Sequence, residues 1–210
     1  NKFIKYLDHP KIINIVKKTL STGSFNNEEK IILRQSAVRS PKKGFAQQLH
    51  NDSRISKTKY PLILQVIWLL DDFTKLNGAT RILPKSQHLE GFPKKNKRYK
   101  NERILTAKKG SVIIFNASVW HGSSEKFTNE DRYGMIFSYS RWFLKPTFDH
   151  TKNTPLKTYK KLSNFQKELL GFKFNPPIDE FERSSSRSNK NIITFKNYNL
   201  KNFKDDSKFK

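Results

Sequence analysis

Apolar residues near the start of the chain recur at helical spacing: Ile12, Ile13, Val16 and Leu20 share one side of a 3.6-residue repeat, with Lys11, Lys17 and Lys18 between them. Asp8 and Pro10 read as the N-cap and early-turn signal of that helix, whose apolar side should brace a sheet. Further on the pattern changes to short runs rich in Ile, Val, Phe and Tyr, broken by Gly, Pro, Asn and Ser clusters. These runs predict strands at about 45–52, 61–71, 79–83, 111–117 and 132–143. Repeated short strands with polar connections point to a sandwich or jelly roll. Ser163 and Gln166 then stand at capping-box spacing ahead of Leu169, Leu170 and Gly171, which predicts a short closing helix. Past it, Ser184–Lys190 is poor in apolar residues, and the tail to Lys210 is weakly specified.

Length narrows the organisation. A chain of 210 residues has room for one domain with a substantial core and little room for two. The expectation is therefore a single domain over 1–210, with its core at about 45–145 and the closing helix and tail in 146–210. The chain has no cysteine, which fits a reducing compartment, and no window has the apolar length of a bilayer span. Nor do the opening residues read as a secretion segment, so the expected location is cytoplasmic. A formal net charge of +24 would ordinarily suggest nucleic acid or an anionic surface. The Lys excess is spread along the whole chain, however, which argues against a focused recognition footprint. One local exception runs from Lys94 to Arg103, a basic connection between the third and fourth predicted strands that suits a lid or substrate loop.

Candidate chemistry sits in three places. His50 and Asp52 are two apart, so in a strand both side chains leave on one face and offer an imidazole nitrogen and a carboxylate oxygen to one metal. His121 can complete a set of two histidines and one carboxylate, the facial arrangement that leaves opposite metal positions open in Fe(II) oxygenases. A structural zinc site would more often use thiolates, and none are present. Arg132 follows after Gly122–Asp131, a polar stretch that reads as a turn between strands, so the chain returns toward the metal. Its guanidinium can grip a carboxylate through two parallel hydrogen bonds. Ser123 is placed to donate one more. His9, His88 and His150 lack metal-site spacing, and Asp71 and Asp72 read as solvated turn carboxylates at a strand end.

Taken together, Gln48-Leu-His50-Asn-Asp52, Val66-Ile-Trp68-Leu-Leu-Asp71-Asp72, Asn77-Gly-Ala-Thr-Arg81, Pro84-Lys-Ser86-Gln-His88, Trp120-His121-Gly-Ser123 and Arg132 resemble the phytanoyl-CoA dioxygenase (PhyH-like) family. The resemblance covers about residues 45–172, since Leu162–Phe172 is similar to the family's closing helix. It implies a mainly β fold, a double-stranded β-helix of jelly-roll, cupin-like type with flanking helices. It implies Fe(II) on His50, Asp52 and His121, 2-oxoglutarate on Arg132 and Ser123, and Trp68 in the same pocket. The implied reaction uses O2, converts 2-oxoglutarate to succinate and CO2, and hydroxylates a small organic substrate, with ascorbate as a reductant. Anionic and acyl-thioester substrates both fit. Halogenating relatives carry a small residue where Asp52 stands. Two alternatives share the fold: a nucleic-acid-directed oxygenase, which resembles others in having a second Arg where this chain has Ser138, and a non-catalytic basic binding protein, disfavoured because every ligand position is filled.

Overall fold

The computed structural model describes residues 3–25, 29–174 and 180. They fall into two compact units, one ending at Phe148 and the other beginning at Asp149. In the first, α1 (Ile4–Leu7) and α2 (Pro10–Leu20) precede seven strands. α2 buries Ile12, Ile13, Val16 and Leu20, the stripe its repeat predicted. Its N-cap is His9 rather than Asp8, and no side chain caps it: Pro10 itself opens the helix, where its missing N–H leaves nothing unpaired.

The strands are β1 (Ile31–Arg39), β2 (Ile63–Leu69), β3 (Thr80–Ile82), β4 (Arg103–Ile104), β5 (Val112–Asn116), β6 (His121–Ser123) and β7 (Gly134–Arg141). One sheet has the order β1-β7-β2-β5 and the other β4-β3-β6, and every pairing is antiparallel. Side chains from both sheets line one cavity, so the sheets enclose it between them as the two walls of a jelly roll. The outer face of the larger sheet carries the helices. α2 contacts β2 and β7, and the buried Tyr139 hydroxyl donates to the Leu7 carbonyl at 2.7 Å.

Three expectations are corrected. β1 lies where no strand was predicted, because a bulge between Leu33 and Gln35 breaks the alternation that would announce it. The run 45–52 is not a strand. Its only ladder contact is the bridge between His50 and His121, and the Gln47 carbonyl is taken by the Arg81 side chain. β6 occupies the first residues of the stretch read as a turn, and the turn proper begins after it.

In the second unit, α3 (His150–Asn153), α4 (Leu156–Tyr159) and α5 (Asn164–Leu169) follow one another. α5 has the predicted capping box: Gln166 N donates to Ser163 Oγ and Ser163 N to Gln166 Oε1, at 3.1 and 3.0 Å. The Tyr159 and Phe172 rings meet edge to face, 4.9 Å apart. The run Ser184–Lys190 and the tail lie outside the described residues. Among the described residues, no helix is long and apolar enough to cross a membrane.

Candidate metal and co-substrate site

The two histidines reach one point through a shared local geometry. His50 and His121 are bridged backbone to backbone, by His50 N to His121 O at 2.9 Å and His121 N to His50 O at 3.0 Å. That pairing sets their rings 4.3 Å apart. Each ring is held by the carbonyl two residues earlier: Nδ1 lies 3.2 Å from the Gln48 oxygen in His50 and 2.8 Å from the Val119 oxygen in His121. A carbonyl only accepts, so each Nδ1 carries a hydrogen and Nε2 is the atom turned to Asp52: with a proton it donates to the carboxylate, and without one it offers a lone pair to a metal. Both Nε2 atoms face Asp52, at 3.3 Å from Oδ1 for His50 and 3.4 Å from Oδ2 for His121.

One ligand atom from each residue lies within 4.8 Å of the others, spacing that suits a metal ion. The donor set of two imidazoles and one carboxylate, with bonds orienting both rings already made behind it, fits Fe(II). Burial alone would push the Asp52 carboxyl up, but hydrogen bonds from His121 and His50 and their charge hold it well below the usual carboxylate range. At His50, burial pulls downward and the nearby Arg39 charge adds to it. The hydrogen bond and charge of Asp52 and the Gln48 carbonyl outweigh both, so its imidazole is raised.

Arg132 enters the same cavity just before β7. Its Nε reaches the Asn77 carbonyl at 3.4 Å, one terminal nitrogen donates to the Gly78 carbonyl, and its Cζ stacks 3.9 Å from the Phe73 ring centre. Among the described residues no carboxylate pairs with it, although it is only 7% exposed. Burial lowers its pKa to about 10, against the opposing charge of Asp71. A desolvated guanidinium with no carboxylate in ion-pair contact leaves room for an anion from outside the chain. The far carboxylate of 2-oxoglutarate fits that need.

Ser123 also lines the cavity; its Oγ accepts from Gln47 N at 3.0 Å, which leaves its hydrogen free to donate. Trp68 does not join them. On β2, Gln65 and Ile67 face the cavity and Trp68 points to the opposite face, where its ring meets Tyr6 and His9 at 5.1 and 5.3 Å. The cavity measures about 810 Å³, and none of Lys94–Arg103 lines it. The basic heads of that run are exposed; its contacts with the site region come from its other residues, by two hydrogen bonds between Asn96 and Gln48, the Glu102 pair with Arg81 and the Tyr99 ring edge-on to Trp120.

The motif Asn77–Arg81 turns out to be the brace of the site. Asn77 and Gly78 supply the carbonyls under Arg132. Arg81 pairs with Glu102 and donates to Ser123 O at 3.2 Å and Gln47 O at 2.9 Å, tying the loop that carries His50 to the smaller sheet. Sequence reasoning missed Gln35, Arg39, Lys42, Gln65 and Phe115, all on the cavity wall. Gln65 was the most visible of these, as the one amide in the otherwise apolar strand Ile63–Leu69.

Comparison with known proteins bears on the family and the fold. An uncharacterised protein of Mycobacterium tuberculosis, Rv1501, is 24% identical over 151 residues, 71% of this chain and 55% of that protein. The dioxygenase trt7 of Aspergillus terreus is 31% identical over 137 residues, covering 61% of this chain and 46% of its own. The chain thus spans about half the length of these relatives. Among solved structures, HygX from Streptomyces hygroscopicus with iron bound superposes with a TM-score of 0.58 at 16% identity, over 69% of both chains, a likeness of fold. The same protein is also known with nickel and 2-oxoglutarate bound. The model of the family "Phytanoyl-CoA dioxygenase (PhyH)" matches residues 1–134, the stretch that holds the His50, Asp52 and His121 cluster and Arg132. With well over half of the chain matched, and the candidate site inside the match, this protein belongs to the phytanoyl-CoA dioxygenase family.

Proposed function

We propose that the chain is a non-haem Fe(II)- and 2-oxoglutarate-dependent dioxygenase that hydroxylates a small organic substrate. The observation that carries this reading is the buried, carboxylate-free Arg132 in the same cavity as the His50, Asp52 and His121 cluster. That is a cation waiting for a dianion beside a site suited to a divalent metal. In the overall reaction, substrate, 2-oxoglutarate and O2 become hydroxylated substrate, succinate and CO2. Iron with 2-oxoglutarate would supply the activation of dioxygen, chemistry no side chain here provides.

The chain's own residues do the rest. His50, Asp52 and His121 hold the metal through two imidazole nitrogens and a carboxylate, and the Gln48 and Val119 carbonyls keep both rings turned. Arg132 grips the distal carboxylate of the co-substrate, and Ser123 donates to it. Ile67, Phe73, Phe115 and Ile136 wall the cavity with apolar surface and keep water from competing. Asp52 occupies the position that a halide would need, which favours hydroxylation over halogenation. Arg39 and Lys42, on the cavity wall without a carboxylate partner among the described residues, favour a substrate that carries an anionic group.

Ser138, buried on the cavity-facing side of β7, stands where nucleic-acid-directed oxygenases of this fold carry a second arginine, which disfavours that reading. The lack of cysteine supports a reducing compartment, the cytoplasm, as the enzyme's location. The test is succinate release from 2-oxoglutarate with Fe(II) and ascorbate, in the presence of pools of anionic metabolites, neutral metabolites or single-stranded nucleic acid. Stimulation by the anionic pool, with incorporation of one oxygen atom into a member of it, is the expected result. No succinate above the metal-free control would overturn the reading.

A further inference from the structure

Gln65 stands in β2 among Ile63, Leu64, Val66, Ile67 and Leu69, all buried, and is itself only 6% exposed. Packing gives no reason for an amide there, and a leucine would suit the strand better. Its side chain does one specific thing: Nε2 donates to Asp52 Oδ2 at 2.6 Å. The amide has only one workable orientation, since its reverse would set Oε1 against the carboxylate oxygen and repel it. That orientation leaves Oε1 buried with no hydrogen-bond partner. A buried acceptor left unmade is unfavourable, so the contact with Asp52 outweighs it in this arrangement.

Across the sheet, Gln65 pairs in register with Ser138, whose hydroxyl is also buried and unpaired, so the neighbouring strand does not satisfy the amide either. Asp52, by contrast, needs a fixed donor. It follows the bridge at His50 in a loop with no ladder of its own, and its backbone is held only by Asp52 N to Ala117 O at 3.1 Å. The two histidines are oriented from behind by carbonyls, and the carboxylate has no such carbonyl to serve it. Gln65 fills that role.

We propose that Gln65 is the positioning residue of the metal-binding carboxylate: it engages Oδ2 and holds Asp52 in the rotamer that meets His50 and His121. The inference rests on the metal reading of the cluster, and the test separates the two. Metal-free full chain is titrated with Co(II), which reports coordination through its visible absorption and needs neither co-substrate nor turnover. The wild type should bind one Co(II) with a defined spectrum. Gln65→Leu, which keeps the volume and removes the donor, should bind about 10- to 100-fold more weakly with an altered spectrum. Gln65→Asn, whose amide is withdrawn by one methylene, should shift the spectrum in the same direction and serves as the readout if the leucine variant does not fold. Ser138→Ala should match the wild type.

Wild-type affinity and spectrum in either folded Gln65 variant would overturn the positioning role and leave the metal site standing. Failure of the wild type to bind Co(II) would overturn both. Wild-type Co(II) binding in the Gln65 variants with a weakened requirement for 2-oxoglutarate alone would assign Gln65 to the co-substrate and likewise overturn the inference.

Discussion

Each ligand in the cluster has a distinct electrostatic duty, so single substitutions should separate them. His121→Ala removes a buried imidazole and leaves Asp52 with one histidine partner. It should abolish stoichiometric Fe(II) binding, measured anaerobically by titration, and a variant that still binds Fe(II) and turns over normally would remove His121 from the metal. Arg132→Ala should leave Fe(II) affinity nearly unchanged and raise the 2-oxoglutarate concentration for half-maximal succinate release by about 10- to 100-fold, the worth of charge-assisted hydrogen bonds. Arg132 also predicts a pH dependence. Its folded-state pKa is lowered to about 10 by burial, so below that value the folded protein carries a charge that burial disfavours, and this penalty fades as pH rises from about 10 toward the ordinary arginine value. Binding of the dianion offsets the penalty only while Arg132 is charged. The thermal stabilisation given by 2-oxoglutarate should therefore be full at neutral pH and fall as pH passes about 10, and an undiminished shift there would place the anion elsewhere.

At the scale of elements, the site depends on a close crossing of two backbones. β6 runs against the Gln47–His50 loop so tightly that a Cβ on Gly122 would sit 2.7 Å from the Gln47 oxygen and 3.0 Å from the Gln48 oxygen. Both are main-chain atoms and cannot swing away. Gly122→Ala should destabilise the fold by about 1–3 kcal/mol in urea denaturation and weaken metal binding as well, because the displaced loop carries His50 and the carbonyl that orients it. Unchanged stability would show that the loop moves freely. In the second unit, Ser163→Ala removes the capping-box acceptor of α5 and should lower stability by about 1 kcal/mol, with Co(II) binding unaffected because every ligand lies before Phe148.

At the scale of the whole molecule, the charge of +24 matters by where it falls. The densest basic run, Lys94–Arg103, is exposed and away from the cavity wall, whereas Arg39 and Lys42 are on it. Neutralising Lys94, Lys95, Lys97 and Arg98 together should leave substrate KM within about two-fold at physiological salt, where distant exposed charges are screened. Replacing Arg39 and Lys42 with alanine should raise KM for an anionic substrate and flatten its salt dependence, with substrate-independent 2-oxoglutarate turnover near its original rate. The opposite pattern would move substrate recognition to the basic loop.

The chemistry was legible in the residues because it depends on short spacings and on residue types with few substitutes. A His-x-Asp pair, a second histidine and a following arginine carry their meaning wherever the fold sets them, and the capping box at Ser163 and Gln166 is equally local. Reading failed where the deciding contact crosses the chain. Trp68 sits in a strand apolar on both faces, so no alternation tells which side meets the cavity, and only the pairing with β5 and β7 turned it toward Tyr6 and His9. The run 45–52 is expected as a strand, yet it has no β-branched residue and the Arg81 guanidinium takes the Gln47 carbonyl that a ladder would have used. β1 is hidden by its bulge. Gln65 is visible as an odd amide in an apolar strand, but its bond to Asp52 joins residues 13 apart and exists only once the sheet has closed around the site. Sequence by itself determined which groups are offered to a metal and a co-substrate, because ligand chemistry is a property of single side chains. Tertiary structure decided which face each strand turns inward and which neighbours steady the ligands, because those are set by register and by backbone bonds between segments far apart in the chain.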